Sequence, residues 1–269
     1  MEGATFFYFH IGKISDYDRR ILDEYVNQGD AEVKTLQEKY ERPFYGWQLI
    51  EIQVEISPKA VFYVGFQDCH MRSKYHSKWT AFIDIDERIH TNEPDRTLID
   101  ILGHLDSQNI AEIQLAHLKV IKDGETPRKY IGKDQISREL FSRKYVNTSE
   151  PTFQASKAVI RPDKVGIMSI HYAVALEYGW KSVQLDSDQV AFRHYRDVLH
   201  RVSGNDWAEN ETMSENPLTN SFNRELTKRV TEKLEFVYRK VPVNCSTIPD
   251  DLYKSRAFPN PCEKMLETW

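Results

Sequence analysis

The sequence is poor in the features that would assign it to several common classes. Three cysteines, Cys69, Cys245 and Cys262, stand in 269 residues. That is too few for a scaffold built on disulfides, although the last two lie close enough in sequence to form one candidate bridge, with Cys69 left as the odd thiol. No apolar run approaches the roughly 18 to 20 residues that cross a bilayer. The apolar opening Thr5-Phe6-Phe7-Tyr8-Phe9 follows Glu2 rather than a basic segment and reads as a core strand, not a leader. No block of Lys and Arg stands out, and the net charge is -5 with a pI near 6.0. A broad basic face for nucleic acid is therefore excluded, because phosphate neutralisation needs clustered cations. No internal repeat is apparent.

What is present suits a folded chain: 40% hydrophobic and 29% charged residues, with 14 Tyr, 13 Phe and 5 Trp. The pattern predicts a strand over Thr5 to Ile11, a helix starting at Ser15-Asp16 and closed by Gly29, and a strand over Ala31 to Leu36. That β-α-β opening points to an α/β sheet. Further helices are expected over Pro58 to Ser77, Thr97 to Leu105 and Gln189 to Val202, and an amphipathic one over Leu218 to Val241. Strand-like stretches fall at Ala111 to Ile121, Lys157 to Pro162 and Val165 to Ala175, and residues 124–145 read as a loop with a short helix. The division expected is 1–203 for a main domain and 204–269 for a helical and loop extension.

Three Asp-x-Asp pairs occur: Asp16-Tyr17-Asp18, Asp84-Ile85-Asp86 and Asp186-Ser187-Asp188. The middle one follows Trp79-Thr80-Ala81-Phe82-Ile83, a run that reads as a strand buried on both faces of a parallel sheet. Carboxylates at such a strand end sit where open α/β folds bind ligands. They can hold a divalent cation that neutralises a diphosphate, and their bland alternative is a helix cap. His171 and His194 are candidate nitrogen ligands, each set against an ordinary hydrogen-bonded role. Lys157, Arg161, Arg193 and Arg196 are cations suited to diphosphate oxygens, or a solvated face. Trp79, Trp180 and Trp207 offer faces for a sugar, with core packing as the default. Asn147, Asn210 and Asn244 head Asn-x-Ser/Thr sequons, which matter in a luminal protein.

Several stretches together resemble glycosyltransferase family 92. They are Asp68-Cys69-His70-Met71-Arg72, Lys78 through Glu87, Lys157 through Val165, Met168-Ser169-Ile170-His171 and His194-Tyr195-Arg196. The resemblance implies an α/β fold of the glycosyltransferase A type: a mostly parallel sheet flanked by helices, here lacking its first strand, with a C-terminal amphipathic helix. It also implies inverting transfer of a hexose, galactose first, from a UDP-sugar donor to a glycan acceptor on glycoprotein or glycolipid. Mn²⁺ is the implied ion, held by Asp84, Asp86 and His194 (alternatively His171), with Asp84, Lys157, Arg161 and Arg196 at the donor. The implied setting is the luminal side of the Golgi membrane, reached through an anchor that this sequence does not contain.

No catalytic base is assigned, Glu125 and Asp134 being the acids considered. Where the family suggests an acceptor loop, the sequence reads Ala116 through Gly124. Two other readings remain: a non-catalytic or truncated member that binds glycan or protein, and a phosphohydrolase of the haloacid-dehalogenase type. The second places Arg88 where its pattern wants Thr or Val.

Overall fold

The computed structural model describes residues 2–11, 14–35, 59–93, 96–127, 129–198 and 211–240. Cys245, Cys262, Trp207, Asn210 and Asn244 lie outside them. The chain divides into two compact units, the first holding residues 35–118 and 151–194, the second 5–34, 119–150 and 195–269.

In chain order the elements are β1 (Phe7–Ile11), α1 (Asp16–Asn27), β2 (Ala31–Thr35), α2 (Lys59–Ser73), β3 (Thr80–Ala81), β4 (Glu87–Thr91), α3 (Leu98–His104) and β5 (Ile110–Lys122). They continue with α4 (Lys133–Glu139), α5 (Phe141–Lys144), β6 (Asn147–Thr148), β7 (Thr152–Ile160), β8 (Val165–Met168) and β9 (Ala173–Leu176). The last are β10 (Lys181–Gln184), β11 (Val190–Asp197), β12 (Ser214–Glu215) and α6 (Asn220–Lys240).

The sheet of the first unit runs β3-β7-β5-β11-β4, with β10 also pairing β5. β5 is its spine, and its sequence explains why: Ile110, Ala111, Ile113, Leu115, Ala116 and Val120 are all at most 2% exposed, so both faces are covered. One face carries Ile113, Leu115, Val159, Val190 and Phe192 with Leu98, Ile101 and Leu102 of α3. The other carries Ala111, Ala158 and Ile160 with Phe82, Val165 and Met168. α2 is tied to β8 through the Gln67 amide, which donates to the Met168 carbonyl. His70 Nε2 also lies 2.9 Å from the Pro162 carbonyl.

Three expectations change. The sheet is mixed rather than mostly parallel: β3–β7, β7–β5 and β11–β4 are antiparallel, and β10–β5 is parallel. The run before Asp84 is not buried on both faces. β3 pairs only with β7 and sits at the end of the strand order, so its residues alternate, with Thr80 and Phe82 inside and Ile83 44% exposed. The segment expected as a helix from Gln189 is strand β11. Its Val190, Ala191 and Phe192 are fully buried between β5 and β4, and burial on both faces hides the two-residue period.

The second unit holds the β1-β2 pair, α1, α4, α5, α6 and the β6-β12 pair. α1 starts where Ser15 Oγ accepts from the Asp18 amide at 2.9 Å, with Asp16 and Asp18 favourably placed in the positive first turn. It ends beside Gly29, whose φ of +78° suits the left-handed stop that follows a helix. Tyr17 stacks on Tyr238 of α6 with centroids 4.2 Å apart, and the Tyr238 hydroxyl donates to the Tyr17 carbonyl at 3.0 Å.

Candidate functional site

The three Asp-x-Asp pairs separate by what surrounds them. Asp16 and Asp18 serve the first turn of α1. Asp186 closes a local turn by accepting from the Asp188 amide at 3.0 Å. Asp84 and Asp86 instead occupy a tight turn between β3 and β4, closed by the Glu87 amide donating to the Asp84 carbonyl at 3.0 Å. The sheet brings distant residues to that turn.

Lys157, on β7, is 1% exposed and directs its ammonium to Asp84 Oδ2 at 2.8 Å and Glu87 Oε2 at 3.1 Å. A buried ammonium is tolerated only with such partners. His194, on β11, places Nε2 3.1 Å from Asp86 Oδ2 and Nδ1 3.6 Å from Glu87 Oε1. Its ring follows an aromatic row in which His117 stacks on Phe192 at 4.9 Å and lies 5.4 Å from His194. The alternation of β11 puts Phe192 and His194 on one face. The result is a graded site: Glu87 and Lys157 are buried at the base, while the side chains of Asp84 and Asp86 are 46% and 44% exposed.

Burial pushes the Glu87 carboxyl above its ordinary value, with the Asp84 charge adding to this and the Lys157 ammonium opposing it. His171 follows β8, with Nδ1 3.1 Å from the Ser156 carbonyl. A carbonyl only accepts, so Nδ1 carries the proton and the neutral ring keeps its lone pair on Nε2. Burial and then the neighbouring Lys157 lower the affinity of this ring for a proton, and Asp84 acts in the opposite sense. Of the two candidate histidines, His194 contacts the Asp84-to-Glu87 turn, and His171 is influenced by Lys157 and Asp84 through their charges.

Other predicted residues have other settings. Arg161 donates to the carbonyl of Asp106 at 2.9 Å and to its carboxylate at 3.2 Å, with its guanidinium over Trp79 at 4.7 Å and over Trp180 at 5.5 Å. Trp79 and Trp180 themselves pack partly buried against the two core faces. Arg196, Glu125 and Asp134 belong to the second unit. Asn147 opens β6 with its side chain exposed. Cys69 packs beside the core, and burial pushes its thiol up to about 12, so it is a poor nucleophile.

The structure also shows a buried polar group that the sequence reading missed. His90, on β4, is 1% exposed, and burial together with the Arg193 and Arg88 charges lowers it to about 3. In the unfolded chain this ring titrates near 6.5. Between those values the unfolded chain holds a proton that the folded chain refuses. The ring's contribution to stability is therefore complete above pH 6.5 and is lost as pH falls towards 3. Urea unfolding at pH 7 and pH 4 should show the parent chain losing about 3 kcal/mol more than His90→Leu across that interval. Equal acid losses would contradict this assignment.

A family model described as glycosyltransferase family 92 matches residues 1–234. The chain belongs to glycosyltransferase family 92. No curated protein matches it. Membership makes the chain a glycosyltransferase and displaces the phosphohydrolase reading. No helix of the described residues is long and apolar enough to cross a membrane.

For this family member the fit of a divalent ion rests on its donors. Among the described residues no group of three or more His, Cys, Asp or Glu is arranged to hold an ion. Two donors do fit: the Asp86 carboxylate and the His194 imidazole face one another at 3.1 Å. Oxygen ligands suit hard divalent ions, which commonly take only one or two protein carboxylates and complete their shell with substrate phosphate and water.

Proposed function

We propose that the chain transfers a hexose, galactose as the first choice, from a UDP-sugar to a glycan acceptor, with inversion and with the help of Mn²⁺. The catalytic domain in this reading is residues 1–203. The observation that carries it is the convergence at the turn: Lys157 meets Asp84 and Glu87, His194 meets Asp86, and the side chains of Asp84 and Asp86 stay 46% and 44% exposed. Such a site favours a cation that arrives with a diphosphate.

Asp86 and His194 are the residues that would hold the ion, with His171 as the alternative nitrogen ligand. When bound, the ion supplies charge neutralisation to the leaving diphosphate. Lys157 orients Asp84, and the pair faces the donor. The buried base beneath the turn, Glu87 and Lys157, keeps both aspartates in place and lowers the reorganisation needed during transfer. In the chemical step the acceptor hydroxyl oxygen bonds to the anomeric carbon as the bond to UDP breaks. The hydroxyl proton passes to a general base. Arg161 is omitted from the proposed donor set because its guanidinium is engaged by Asp106 and two indoles. The setting that suits this reaction is the Golgi lumen, with acceptors on glycoprotein or glycolipid.

The test is transfer from a panel of UDP-hexoses to glycan acceptors with Mn²⁺, followed by assignment of the product's anomeric configuration. Transfer from UDP-galactose with inversion, lost on chelation and restored by Mn²⁺, is expected. Retention of configuration, or full activity after chelation, would overturn the corresponding part of the proposal. Glycan binding without turnover of any donor would instead favour a non-catalytic member of the family.

A further inference from the structure

Glu87 is the least conspicuous acid of its turn in sequence and the most enclosed in the structure. Its side chain is 2% exposed, against 46% for Asp84 and 44% for Asp86. One carboxylate oxygen, Oε2, accepts from the Asp84 amide at 2.8 Å and from the Lys157 ammonium, which lies at 3.1 Å. The other, Oε1, faces His194 Nδ1 at 3.6 Å, an electrostatic contact longer than a hydrogen bond. Glu87 also opens β4 directly across the ladder from His194, so the sheet register fixes its direction. Three groups from three parts of the chain thus share one carboxylate.

An apolar residue of similar size would commonly serve stability as well as a buried charge does. The value of a carboxylate here lies in what it aligns. We infer that Glu87 is a positioning residue of the donor site, which holds the Asp84 backbone, the Lys157 ammonium and the His194 ring in one fixed arrangement. The inference rests on the proposed function for its consequence, donor and metal affinity, but its geometric content stands without a ligand. Carboxylates placed behind metal-binding histidines typically change affinity about 10- to 100-fold when altered.

Two variants of the full chain test it, Glu87→Gln and Glu87→Ala, through two readouts. The first is amide exchange at Asp84 in the absence of metal and nucleotide. Glu87→Ala should exchange at least about tenfold faster than the parent, because its acceptor is gone, while Glu87→Gln, whose amide oxygen still accepts, should stay near the parent. The second is the affinity for UDP in saturating Mn²⁺, measured well below the unfolding temperature. Both variants should bind about 10- to 100-fold more weakly.

Parent-like exchange at Asp84 in Glu87→Ala would overturn the inference, as would unchanged UDP affinity in both variants. A role confined to stability would lower the unfolding temperature and leave that affinity intact. If the parent chain itself failed to bind UDP, the proposed function would fall, and the exchange measurement alone would decide whether Glu87 positions the turn. Should Glu87→Ala fail to fold, Glu87→Gln, which keeps the shape and loses the charge, carries the affinity test.

Discussion

Replacing Lys157 by methionine is expected to destabilise the chain by about 3–5 kcal/mol, the usual cost of removing one member of a buried ion pair. The magnitude follows from enclosure: Lys157 and Glu87 are 1% and 2% exposed, and the one ammonium meets both Oε2 of Glu87 and Oδ2 of Asp84. Methionine fills most of the volume, so the loss is electrostatic rather than a cavity. Glu87, whose carboxyl is already pushed up by burial, would be pushed further.

The sign of the pH dependence follows from that. A carboxyl whose folded value is raised costs nothing while it is protonated in both states, below about 4.5. Its contribution is lost as pH rises through the folded value. Lys157→Met should therefore lie closest to the parent near pH 4.5 and fall away towards pH 8 in urea unfolding. Adding Glu87→Gln to Lys157→Met should recover much of the loss, because the stranded charge is then gone. A loss that is independent of pH, or one that the double variant fails to relieve, would show that the pair is not the cause.

The second large effect concerns chemistry rather than stability. Asp86→Ala should lower kcat/KM for hexose transfer by roughly 10²–10³-fold, the scale seen when one electrostatic contributor to a transition state is removed. The fold should be little affected, since the Asp86 side chain is 44% exposed and substitutions at exposed positions usually stay within about 0.5 kcal/mol. Unfolding temperature and transfer therefore separate in this variant, whereas in Lys157→Met both decline. Normal turnover by Asp86→Ala with UDP-galactose would remove Asp86 from the site.

Several elements of the fold were legible in the sequence because their signals are strongly local. The start of α1 at Ser15 with its acidic first turn, the stop at Gly29 and the apolar periodicity of α6 are read from neighbours a few residues apart. The middle Asp-x-Asp pair was set apart by the strand before it, and the structure places Lys157 and His194 against it across 73 and 108 residues. The family resemblance had already put these residues together in order.

What was not legible depended on partners remote in sequence. β11 was expected as a helix because Val190, Ala191 and Phe192 are covered on both faces, which removes the alternation that would mark a strand. The direction of pairing was misread for a related reason. An apolar run states that a strand is covered, not which neighbour covers it, and β3 pairs antiparallel with β7, a strand some 80 residues further on. Glu87 has no separate role in the sequence, where it simply follows the Asp-x-Asp pair; the arrival of Lys157 and His194 makes it the buried base of the turn. His90 was silent too, because its lowered proton affinity comes from Arg193 on the partner strand as well as from burial.

The most direct test of the account is a calorimetric titration of the chain with UDP, with and without Mn²⁺, in the parent and in Asp86→Ala. Binding by the parent should depend on Mn²⁺ and weaken at least about a hundredfold in Asp86→Ala. UDP binding of equal strength with and without Mn²⁺, or unaltered by Asp86→Ala, would contradict the placement of the donor site at the turn between β3 and β4.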